Sequence, residues 1–145
     1  MNSPADTSDL LTVGSVVAGF GTAMLFFRIH RELSIQAQGE PIWIACSDWL
    51  LLAATTIALV FVLLPLISGL VPEPPRALLA AAACSTSIVL VSGYLLAILA
   101  HYRLIFGRGR DGPRENPEPA EQIAVVATAV LAFGVFLAVF VVSAG

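Results

Sequence analysis

Four long apolar runs, separated by polar punctuation, dominate the chain. They cover 10–27, 49–70, 77–100 and 123–143, and none contains a charged residue. Each is apolar throughout rather than striped at a period of 3.6, which is the pattern of a membrane span. The shortest run, 10–27, covers most of a hydrocarbon core about 30 Å thick at about 1.5 Å of rise per residue. The runs are too long and too uniform for the alternating strands of a closed barrel. The pattern predicts an all-α polytopic membrane protein, with residues 1–145 forming one membrane domain: a four-transmembrane-helix bundle.

The connections differ in kind. Residues 28–48 begin as a cytoplasmic extension of the first helix, with Arg28 and Glu32 one turn apart on one face. Gly39 and Pro41 break that extension. Trp43 and Trp49 flank the start of the second span, where interfacial aromatics belong, and Ser47 and Asp48 are suitable N-cap residues. Residues 71–76 hold Pro72, Pro74 and Pro75 and predict a tight hairpin. Residues 107–120 carry Gly107, Gly109, Gly112, Pro113, Pro117 and Pro119, a composition of mobile, solvated connections. Pro119 and Glu121 suit the first turn of the fourth helix. The start, with Asp6 and Asp9, lacks the basic region of a secretory signal, so the first run is expected to remain as a helix.

Composition agrees with lipid as the solvent. Hydrophobic residues make up 58% of the chain and charged residues 12%, whereas soluble domains are about a quarter charged. The net charge of −3 leaves no basic surface for nucleic acid. All seven basic residues are Arg, which with abundant Ala, Val and Leu reads as GC-rich bacterial coding. Arg28, Arg31, Arg103, Arg108, Arg110 and Arg114 lie in the first and last connections, and only Arg76 lies between the second and third runs. The positive-inside rule then places those two connections in the cytoplasm and both termini outside. The expected location is a bacterial cytoplasmic (inner) membrane. Cys46 and Cys84 fall at different depths and read as small apolar residues, not as a disulfide.

Candidate chemistry is sparse. No ionisable group lies mid-span, which argues against a proton-driven transporter built on an intramembrane carboxylate. There is no phosphate loop, nucleophile elbow or Cys-x-x-Cys motif. Small residues recur at Ser15, Gly19 and Ala23 in the first helix and at Gly134 and Ala138 in the fourth, a pattern that lets helices approach closely in lipid. Thr55 and Thr56, together with Ser85 and Ser92 two turns apart, supply hydroxyls that can line a pore or bond back to their own helices. Pro65 permits a kink. The His-Arg pairs that end the first and third runs, and the Glu-Pro pairs before the second and fourth, echo a duplicated hairpin.

The cytoplasmic edge gathers the potential ligands. His30 and His101 are the residues that would hold haem axially, and Cys46 and Asp48 would add transition-metal ligands. No cofactor is expected, because the spacing matches no metal or haem signature. Three functions follow from these features. The first is a homo-oligomeric channel or pore, motivated by uncharged spans, small-residue faces and hydroxyls. The second is an accessory subunit of a larger membrane complex, which needs only packing faces. The third is a haem- or metal-binding membrane protein using His30 and His101. Catalysis is the least supported class, since no nucleophile and base can be paired. The expected partners are the lipid bilayer and either further copies of the chain or a larger membrane complex.

Overall fold

The computed structural model describes residues 6–39, 45–105, 115 and 117–144. Pro41, Trp43, Arg108, Arg110, Arg114 and the glycine-rich part of the last connection lie outside the described residues. Within them the chain is all-helical, with no strand, and four helices are long and apolar enough to cross a membrane.

Helix α1 is Thr7–Ala37. Asp6 caps it by accepting the Ser8 amide at 3.3 Å, and Asp9 adds a favourable acid to the first turn. The 31 residues of α1 span roughly 46 Å at 1.5 Å per residue. The helix therefore runs beyond the apolar segment 10–27 and ends before Gly39.

Helix α2 is Asp48–Ser68. It is α-helical over Asp48–Ile57, π-helical over Ala58–Leu63 and α-helical again over Leu64–Ser68. The widened turn precedes Pro65, whose ring would clash with the carbonyl four residues back and which offers no amide of its own. The expected kink site is thus a change of helical pitch. Helix α2 stops at Ser68 because Gly69 turns left-handed at φ 65°.

Helix α3, Pro75–His101, begins directly after the proline-rich hairpin. Helix α4, Pro119–Ala144, starts with Pro at its first position. Helix α3 is the centre of the fold. It packs against α1, α2 and α4, most extensively against α4, and α1 also packs along α2. Helix α4 rests on α3 and has no comparable contact with α1 or α2. The arrangement is a three-helix core with α4 against its outer side.

The core is built from small residues. Ala54, Ala58, Ala80, Ala82, Ala97 and Ala100 are fully covered, with Leu51, Val62 and Tyr94 filling the spaces between helices. The two tightest approaches depend on glycine. A Cβ on Gly21 would collide with the Thr55 side chain, and one on Gly93 would collide with Thr128. Such contacts are how helices gain packing energy where lipid removes the hydrophobic drive between them.

Candidate functional site

Among the described residues, the buried ionisable side chains Arg28, His101, Glu118 and Glu121 converge at one end, where α1 extends, α2 begins, α3 ends and α4 begins. Arg28 projects from α1 and is buried. Its Nε donates to both Asp48 carboxylate oxygens at 3.2 and 3.3 Å, and its Nη2 donates to Oδ2 at 3.2 Å. Glu32, one turn further on α1, lies 3.7 Å from the same guanidinium. Arg31 donates to the Tyr102 hydroxyl and sits over its ring at 5.3 Å from the centroid.

The second half of the cluster joins α3 to α4. His101 Nδ1 lies 2.7 Å from Glu121 Oε2, and the two side chains are 3% and 0% exposed. The other Glu121 oxygen accepts the Ser47 backbone N–H at 2.7 Å. Arg103 donates to Glu118 at 3.0 Å, and the Glu115 amide donates to the same oxygen at 3.2 Å. Burying a carboxylate without partners costs several kcal/mol, so burial of Glu118 and Glu121 depends on these contacts. Apart from the local Arg28–Glu32 and Glu115–Glu118 contacts, the links join different elements: α1 to α2 through Arg28, α1 to the end of α3 through Arg31, α3 to α4 through His101, and the residues just after α3 to those just before α4 through Arg103. Glu121 also ties the start of α4 to the residue before α2. The cluster acts as a polar clasp on the helix ends.

Ser47 occupies the expected N-cap position of α2, but its side chain makes no capping bond. Its amide is taken by Glu121 instead, and Asp48 is engaged by Arg28. Cys46 is half-buried beside this contact, and its thiol is pushed up, first by burial and then by the Glu121 carboxylate.

The predicted ligand residues occupy different environments. His30 is exposed, His101 is buried against Glu121, Cys46 is half-buried, and Asp48 is spent on Arg28. Among the described residues, no three His, Cys, Asp or Glu side chains form a group that could hold a metal ion. Both cysteines are free thiols.

The hydroxyls turn inward to their own helices. Thr55 donates to Leu51 O at 2.8 Å, Ser85 to Ala81 O at 3.0 Å and Ser92 to Ile88 O at 2.8 Å. Thr86 and Ser87, both buried, do the same. Thr55 is buried against Gly21, whereas Thr56 is exposed. Of the small-residue faces, Ser15, Gly19 and Ala23 are exposed, and so are Gly134 and Ala138. The inward face of α1 is instead formed by Gly14, Val17, Ala18 and Gly21.

The sequence reading missed Glu118 and Glu121 as buried partners. A signal existed: His101 and Arg103 close the third run, and Glu118 and Glu121 open the fourth, so two potential cations face two acids across one connection. An apolar groove of about 400 Å³ lies between α2, α3 and α4, lined by Phe61, Ala83, Leu90 and Phe133 among others. No protein-family model, curated protein or solved structure significantly matches the chain.

Proposed function

We propose that the chain is a four-span integral membrane protein that works as a packing subunit of a larger membrane assembly. One observation carries this reading: Ser15, Gly19 and Ala23 on α1, and Gly134 and Ala138 on α4, form small-residue notches that the fold leaves on its outer surface. Notches of this kind lower the distance of approach for another helix in lipid. The engagement of the clasp side chains with one another fits a role in association. The cytoplasmic membrane of a bacterium, with both termini outside, is the setting the arginine distribution supports.

A homo-oligomeric channel is the second reading. Its support is narrower than the sequence suggests, because the hydroxyls of Thr55, Ser85, Thr86 and Ser87 are bonded within their own helices. Thr56 and Ser92 are exposed, so a pathway lined by them would run between protomers.

The test is purification from native membranes in mild detergent, followed by native mass spectrometry. A stoichiometric complex with a different chain, lost in Gly19→Leu and Gly134→Leu variants that still fold, supports the subunit reading. Complexes of identical copies would overturn it in favour of the channel, and planar-bilayer recording would then test conduction. A monomer without partners would sink both.

A further inference from the structure

No further inference is drawn: the strongest candidate, the apolar groove between α2, α3 and α4 lined by Ile57, Phe61, Ala83, Ala132, Phe133 and Phe136, is an unpartnered apolar face, and nothing in the structure shows whether a lipid chain, a second copy or another membrane helix covers it.

Discussion

Gly93 of α3 packs directly against Thr128 of α4, and the space there is sized for a hydrogen. A methyl group on Gly93 would overlap the Cβ, Oγ1 and Cγ2 atoms of Thr128. Overpacking of this kind costs about 1 to 3 kcal/mol. Gly93→Ala should lower the unfolding temperature in detergent, and adding Thr128→Ala should recover part of the loss. Failure of the second change to compensate would mean that the two helices do not touch there. Arg103 offers a different residue-scale test. It is the only described non-glycine residue with a left-handed backbone, at φ 56°. The bonds from its amide to Ala100 O and from the Leu104 amide to Leu99 O close α3 in a Schellman turn, where glycine is the usual choice. The Arg103 side chain is needed for buried Glu118, so side-chain pairing here outweighs backbone preference. Arg103→Ala removes the pair and keeps the strain, whereas Arg103→Gly removes both. The Gly variant should therefore be more stable than the Ala variant by about 1 kcal/mol, with both below the parent. Equal stabilities in thermal melts would count against a strained Arg103.

At the scale of elements, α4 is held in two ways. Thr128 fits it closely against Gly93 of α3, and the clasp holds its first turn. Removing one partner of a buried pair strands the other, at a cost of about 3 to 5 kcal/mol. His101→Ala and Glu121→Ala should each be strongly destabilising. The double variant should cost clearly less than the sum of the two, because each single change already forfeits the shared contact. Glu121→Gln should be milder than Glu121→Ala, since an amide oxygen still accepts the Ser47 N–H. Additive losses in a thermal-unfolding cycle would show that the two side chains do not interact. Helix α2 answers to a different constraint. Its π turn over Ala58–Leu63 accommodates Pro65 without breaking the helix, so the chain continues to Gly69 before reversing.

For the whole molecule, the arginines on which the proposed topology rests also fasten helix ends together. Arg28 pairs with Asp48, Arg103 pairs with Glu118, and Arg31 is held by Tyr102. Under the proposed topology these residues mark the cytoplasmic end, and the C-terminus of α4 lies on the opposite side. A reporter fused after Gly145 should be active only outside the cytoplasm. Cytoplasmic activity of that reporter would invert the orientation. It would leave the helix packing untouched, because the clasp depends on which helix ends are together and not on which side of the membrane they lie.

The sequence by itself determined the helices and their limits. Uncharged runs longer than a soluble strand or helix requires left one reading, and Gly39, the hairpin prolines and Pro119 marked ends, whereas the cap at Asp6 and the stop at Gly69, which lies inside the 49–70 run, came from the structure. It also placed Arg28 and Glu32 on one face. What it could not determine was how each span is turned. A soluble helix reveals its inner face by the contrast between apolar and polar sides, and these spans have almost none. The face bearing Ser15, Gly19 and Ala23 and the face bearing Gly14 and Gly21 are equally plausible on the sequence, and only packing buried the second. The pairing of His101 with Glu121 was hidden for the same reason. Two residues separated by 20 positions meet only once α3 and α4 have taken their mutual rotation and height, and those are set by the fit of Gly93 against Thr128 and by the requirement that buried charges find partners.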